Sequence, residues 1–368
     1  MKVRHVLGIS GGKDSTALAV YMKKNYPQLD IEYYFCDTDN ELDETYAYLA
    51  NLENYLGKPI KKLPEKKEGI DDLFKFSLIN NNSYLPSPRS RWCTVYMKLR
   101  PFESYIGNDN IISYVGIRGD EERSAYISKR PNIQSIMPFR KNIWSDDVIT
   151  KSLGFGNYEN LIEIYKDKIS SNTKNDFYKF LIKDVTADFD VGRKASVLLD
   201  VDIITFNKLI YEYLKTTEYP LALEDDFPLI NNTDILDLND ILGILEEEGL
   251  GLPGYYNKIP IEVDGKKGYY NRSRSGCFFC FFQQRIEWVW LYEQHPDLFE
   301  KAMGYEKEGF TWIEGESLKE FSRPERIKQV KLHHIEKIEK EKSKKSSNLL
   351  MDNLLSEDEE MGCSICVL

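Results

Sequence analysis

The chain has 368 residues, 42% of them hydrophobic and 30% charged, with 49 Lys and Arg against 60 Asp and Glu for a net charge of −11. Such a length suggests two or three structural units with ample core material, and the acidic balance excludes a globally basic nucleic-acid coat while allowing a local basic groove. No apolar run approaches the roughly 18 residues of a membrane span, and the opening MKVRHVLGIS has no leader-like apolar stretch. A cytoplasmic protein without membrane association is expected.

The first 120 residues alternate strand and helix. Residues 3–9 read as a short apolar strand, Lys13–Asn25 as a helix and 31–36 (IEYYFC) as a second strand. Leu42, Tyr46, Leu49, Leu52 and Leu56 then recur at helical spacing, with Gly57 where a helix C-terminal glycine belongs. PIKKL is a weak third strand suited to a sheet edge, 94–107 a helix, and 111–117 (IISYVGI) a fourth strand. This alternation predicts a parallel sheet covered on both faces, with ligands at the carboxyl ends of its strands. Residues 140–226 change character: they are rich in Tyr, Asn, Asp and Lys, with helical patches, and read as a helical insertion. Beyond 331 the chain is charged and poor in core residues, the pattern of a solvated helix fraying into a flexible tail.

Residues 10–16, SGGKDST, stand between the first strand and the first helix. Gly11 and Gly12 allow a tight turn with close backbone approach, the helix N-terminus adds free N–H groups, and Ser10, Lys13, Ser15 and Thr16 add donors and charge. This is an anion cradle. It is not a Walker A loop, which would need glycine at Leu7 and Ser or Thr at Asp14, nor a GxGxxG fingerprint, since Ser10 stands at the second glycine. A carboxylate inside a phosphate loop implies an intervening cation, so Asp14 points to Mg²⁺.

The surrounding blocks carry a resemblance. SGGKDST resembles the PP-loop of the ATP pyrophosphatases. DTDNELDET (37–45), RWCTVYMKLRPFE (91–103), GIRGDEERSAY (116–126), the FPLINNTDILDLNDILGILEEEGL segment and RSGCFFC (274–280) resemble, in order, blocks of that superfamily's phosphoadenosine-phosphosulfate (PAPS) reductase branch. The resemblance implies an α/β, Rossmann-like fold of the adenine nucleotide alpha hydrolase type. Its divisions would be a nucleotide-binding domain at 1–139, the helical insertion at 140–226, a C-terminal part with a CxxC at 227–330, and the tail at 331–368. It also implies that residues 10–16 hold ATP phosphates with Asp14 at Mg²⁺, that Asp37, Gly116 and Arg118 line the nucleotide crevice, and that Lys98 and Arg118 stabilise charge as pyrophosphate leaves. Lys98 has a plain alternative as a solvated helix lysine, and Arg123 as a salt-bridge partner of neighbouring acids.

Two enzyme readings share this pattern: a PAPS or APS reductase, and an enzyme that adenylates its target with ATP and displaces AMP with sulfur. The loop keeps the pyrophosphatase form, the reductases' ECGxH tail is missing, and Cys93-Thr94 stands where APS reductases have Cys-Cys, all of which favour sulfur transfer. By resemblance Cys93, Cys277 and Cys280 would supply three thiolates to a 4Fe-4S cluster; a Zn²⁺ site completed by Cys363 or Cys366 and a reduced CxxC in an aromatic core stay open. Cys363 and Cys366 form a second CxxC on the tail, either a sulfur-relay arm or an uninvolved terminus. Cys36 reads as a buried inert thiol, His295 as a structural histidine, and Trp288 and Trp290 as core.

For a nucleic-acid acceptor, Lys266, Lys267, Arg272, Arg274, Arg285, Arg323, Arg326, Lys328 and Lys331 form a candidate basic strip interleaved with Tyr269 and Tyr270. The resemblance is closest to the sulfurtransferases of bacterial DNA phosphorothioation, which act in phage defence with a cysteine desulfurase and ATPase partners. DNA is the expected acceptor; tRNA thiolation, and a nucleotide-binding subunit that does not turn over, are the alternatives.

Overall fold

The computed structural model describes residues 3–64, 72–122, 128, 130–169 and 175–346. Strands β1 (Arg4–Gly8), β2 (Ile31–Cys36), β3 (Ile60–Leu63), β4 (Ile111–Tyr114) and β5 (Ile133–Ile136) form one parallel sheet in the order β3-β2-β1-β4-β5. Helices α1 (Lys13–Asn25) and α2 (Asp43–Leu56) connect the first three. A parallel sheet is buried on both faces, so its strands need unbroken apolar runs, and Val6, Leu7, Tyr34, Ile111 and Ile112 are fully buried. The fold is α/β and Rossmann-like. His5 stands opposite Ile31 on one side and Ile112 on the other, so strand order reverses about β1. The crevice between the carboxyl ends of β1 and β4 is where such sheets bind ligands.

Local chemistry sets the ends of these elements. Gly57 closes α2 in the left-handed conformation, φ +66°, where a side chain would be strained. α1 is buried along most of its length, from Ser15 to Met22. It is held between the sheet and the helix Leu238–Glu247, which explains its lack of an amphipathic stripe. The β4 ladder ends at Tyr114, short of the expected 117, and β5 was not expected at all. A sixth and seventh strand, β6 (Ile259–Val263) and β7 (Lys266–Tyr270), pair antiparallel around Asp264 and Gly265, both with positive φ.

The expected helical insertion is helical but not set apart. Helices Asp146–Leu153, Tyr158–Lys168, Asn175–Leu181, Val191–Val201 and Ile203–Leu214 share a single hydrophobic core with β1, β2, α1 and α2. Buried Trp144 donates to Asn207 at 2.9 Å, and the Leu221 N–H donates to Gln134 on β5 at 3.1 Å. A second core, rich in Trp and Phe, joins residues 74–97 to the chain beyond 255; Trp288 and Trp290 are buried in it.

The tail expectation is corrected as far as 346. Helix Pro324–Ser346 runs unbroken through the expected boundary at 331, because Ile335 is fully buried against Gly268 of β7. Among the described residues no helix is long and apolar enough to cross a membrane.

Candidate nucleotide and thiol site

Strand β1 delivers residues 10–16 to the crevice. The Ser10 N–H donates to the Ser15 hydroxyl at 3.0 Å, the two hydroxyls lie 3.0 Å apart, and the Gly12 N–H points to the Ser10 hydroxyl at 3.4 Å. Gly11 needs its glycine: φ is +72°, a Cβ would lie 2.4 Å from Thr45 Cγ2, and its carbonyl accepts from the Tyr255 hydroxyl at 3.0 Å. A Cβ on Gly12 would fall 2.6 Å from Ser275 Oγ. The loop is therefore packed from behind by α2 and from above by a segment some 260 residues later.

Arg118, on the loop after β4, crosses the crevice and donates to Asp14 at 2.6 Å. It also pairs with Asp120 at 2.8 Å and Glu121 at 3.1 Å. Burial pulls its pKa down, but Asp14 and Glu121 more than offset this and hold it above its ordinary value. Lys13 lies 3.9 Å from Asp14, with its ammonium over the Tyr256 ring. Burial lowers the Lys13 pKa, against the pull of Asp14. Lys98 sits on the π-helical turn Val95–Leu99, between helical pieces Trp92–Thr94 and Arg100–Ile106. Such a turn carries one extra residue and often marks a functional position; here Cys93, Thr94, Met97 and Lys98 all reach the cavity wall.

The second cysteine block is a loop laid over the first. Its base is held by Glu287, which is 2% exposed. One carboxylate oxygen accepts from the Ser273 N–H at 2.7 Å and its hydroxyl at 2.8 Å; the other accepts from the Gln284 N–H at 2.8 Å. Buried Arg272 donates to the Cys277 carbonyl at 3.2 Å, and the Phe278 N–H to the Asn40 carbonyl at 2.8 Å. Lys13 reaches the Ser273 carbonyl at 3.4 Å, and the Ser275 hydroxyl lies 3.4 Å from that of Ser10.

Between these loops lies a cavity of about 310 Å³. Its polar lining includes Ser10, Gly12, Lys13, Asp14, Ser15 and Arg118, and the thiols of Cys93, Cys277 and Cys280 line it together with Phe74, Phe279 and Phe282. Cys277 lies 3.1 Å from the Thr38 hydroxyl and 3.8 Å from Glu41. Burial, and then the Glu41 charge, push its thiol well above the ordinary range. Burial likewise raises Glu41, against the Thr38 hydroxyl hydrogen bond.

Asp14, one carboxylate beside a phosphate cradle, suits Mg²⁺, which takes one or two carboxylates and completes its shell with phosphate oxygens and water. The cysteines do not fit a metal centre as they stand. They share the cavity wall, but among the described residues no three His, Cys, Asp or Glu side chains are grouped to hold a metal ion.

Other sequence expectations fall outside the cavity. Asp37 is 8% exposed and is turned to the Tyr46 hydroxyl at 2.7 Å and the Asp39 N–H at 2.9 Å. Gly11, Thr16 and Gly116 support the loop from behind; a Cβ on Gly116 would come within 3.0 Å of the Asp14 carbonyl. Cys36 is buried beside a separate chamber of about 20 Å³. His295 starts the helix Pro296–Met303 and packs on Trp290. Arg123, Cys363 and Cys366 lie outside the described residues. The expected basic strip is largely neutralised: Lys266 pairs with Glu336, Lys267 with Glu262, Arg326 with Glu316, Lys328 with Asp264 and Lys331 with Glu293, while Arg272 is buried. Sequence reasoning missed Glu41, Ser273, Ser275 and Glu287, whose roles rest on contacts with distant segments.

Residues 4–141 match the family model of the phosphoadenosine phosphosulfate reductase domain. The match takes in the parallel sheet, the 10–16 loop and Arg118, and supports a PAPS reductase-like superfamily for that region. The chain is also similar to the crystal structure of a phosphoadenylyl-sulfate (PAPS) reductase from Candida auris in a phosphate complex, at 16% identity and a TM-score of 0.28. That similarity covers 39% of this chain and 66% of the other, just under two thirds. No curated protein matches the chain.

Proposed function

We propose that the chain is an ATP-dependent sulfurtransferase: it adenylates its target with release of pyrophosphate and supports sulfur incorporation into nucleic acid, DNA before tRNA. The observation that carries this reading is the shared cavity, in which the 10–15 loop and the thiols of Cys93, Cys277 and Cys280 face one volume. The loop's N–H groups and hydroxyls bind the phosphates. Arg118 and Lys98 place positive charge where pyrophosphate departs. Asp14 would hold Mg²⁺, whose charge would offset that of the leaving group. The phenylalanines of the lining exclude water from the activated acceptor, and the thiols face the same volume. A cysteine desulfurase supplies the sulfur, with ATPase subunits as further partners, and no step passes through a metal cluster.

The test is Mg-ATP turnover by anaerobically purified protein, with pyrophosphate and phosphate quantified separately beside Asp14→Ala. Pyrophosphate that disappears in the variant supports α-phosphate chemistry. The domain match at 4–141 favours a second reading, reduction of a sulfonucleotide. No pyrophosphate, with PAPS binding and cysteine-dependent sulfite release, would establish that one instead. ATP binding without turnover in the presence of partners would leave a nucleotide-sensing subunit.

A further inference from the structure

Most cations of the 266–331 strip are matched to carboxylates, as described above. By contrast Arg89, Arg91 and Arg100, on the segment that carries Cys93 and Lys98, and Arg285, beside the second cysteine block, have no carboxylate within ion-pair distance among the described residues. Arg91 instead lies over the Phe282 ring at 5.0 Å and Arg100 over Tyr96 at 4.3 Å. Phe281 and Phe282, ring centroids 4.4 Å apart, both line the cavity and are half-exposed. On the loop after β4 the rim is acidic, with Asp120, Glu121 and Glu122 around Arg118.

We infer that the surface beside the cavity-lining Phe281 and Phe282, which carries Arg91 on the Phe282 ring and Arg100 and Arg285 on the adjoining helices, is the entry surface for a single-stranded nucleic acid. The inference rests on the nucleic-acid acceptor proposed above and keeps only Arg285 of the expected strip. Arginine recognises phosphodiester oxygens with a planar fork and stacks on rings, and Arg91, whose Nε donates to the Pro88 carbonyl at 3.3 Å, keeps its two terminal nitrogens for a phosphate while on the Phe282 ring. Phe281 and Phe282 offer an unstacked base an aromatic wall. A cavity of about 310 Å³ admits a nucleotide-sized group but not a duplex. The net charge of −11 repels a polyanion from most of the surface, and the acidic rim repels it from the Arg118 side, which leaves the arginine side as the approach.

The experiment is fluorescence anisotropy of a labelled mixed-sequence 12-nucleotide single strand with the full chain, titrated at several KCl concentrations. The Arg91→Glu/Arg100→Glu variant is expected to bind at least tenfold more weakly, with a salt slope shallower by about 1.4, two phosphate contacts at roughly 0.7 each. Phe282→Leu is expected to lose about fivefold or more with the slope unchanged, and Lys266→Glu/Lys328→Glu to bind like the unaltered chain. Arg100→Glu alone, on an exposed side chain, replaces the double variant should that one fail to fold. Unchanged binding by the arginine variants, an equal loss in the strip variant, equal affinity for a duplex, or competition by polyglutamate equal to that of unlabelled strand would each overturn the inference. Pyrophosphate release without oligonucleotide binding overturns it and leaves the ATP reading standing; binding without pyrophosphate release does the reverse.

Discussion

Arg118 and Asp14 meet across the crevice at 2.6 Å, tying the loop after β4 to the loop after β1. The pair sets a condition on nucleotide entry. A carboxylate that accepts from a guanidinium must exchange that partner before it can face a cation, and the released guanidinium is then available to a phosphate. Arg118→Ala should therefore bind Mg²⁺ more tightly than the unaltered chain when no nucleotide is present, yet lose about 100-fold or more in pyrophosphate release, the usual cost of removing one charge-stabilising donor. Calorimetric Mg²⁺ titration and a turnover assay read the two effects separately, and Asp14→Ala should lose both.

Lys13 gives a pH dependence. Burial lowers its pKa below the ordinary lysine value, so its charge disappears at a lower pH than that of a free lysine. Nucleotide affinity should fall as pH rises through that lowered range. Lys13→Arg, charged throughout, should flatten the alkaline fall, as measured by equilibrium binding between pH 7 and 10. An equally steep fall in the arginine variant would assign it to another group.

The contact between Gly12 and Ser275 predicts a compensated pair. Gly12→Ala places a Cβ 2.6 Å from Ser275 Oγ, and overpacking of this kind costs about 1–3 kcal/mol. Adding Ser275→Gly should recover most of the urea midpoint, because the clashing atoms are gone. Gly11→Ala should not be recoverable in this way, since its φ of +72° is itself unfavourable to a side chain.

Glu287→Ala should destabilise the chain by about 3 kcal/mol, because it removes the charged acceptor of three hydrogen bonds that join the two ends of the cysteine loop. With its base released, the loop should expose Cys277 and Cys280 to iodoacetamide faster than in the unaltered chain. Peptide mapping after timed alkylation reads this. Faster unfolding with unchanged thiol rates under native conditions would confine Glu287 to overall stability.

The readable parts of the sequence were those whose signals are local. The 10–16 loop lies between an apolar strand and a helix, and each of its residues has an expected type at its position. The edge placement of PIKKL and the closing role of Gly57 follow from equally local patterns. β5 was missed because four apolar-flanked residues between prolines carry little periodicity. The β6–β7 hairpin had a usable signal in Asp264-Gly265, a dipeptide suited to the positive φ values found there. Glu41 and Glu287 had none. A buried glutamate is written like an exposed one, and only its folded partners set it apart, the distant Cys277 for Glu41 and the nearer Ser273 and Gln284 for Glu287. The basic strip failed for the converse reason: a count of Lys and Arg does not reveal the acids that folding brings beside them.

The lid over the phosphate loop comes from the far end of the chain. Lys13 reaches Ser273, 260 positions later, and Ser275 stands over Gly12. At about 5–20 residues per second, a ribosome that has finished the sheet needs on the order of ten more seconds to deliver that segment. During synthesis the phosphate cradle and Cys93 are thus exposed well before Cys277 and Cys280 arrive to close the cavity over them.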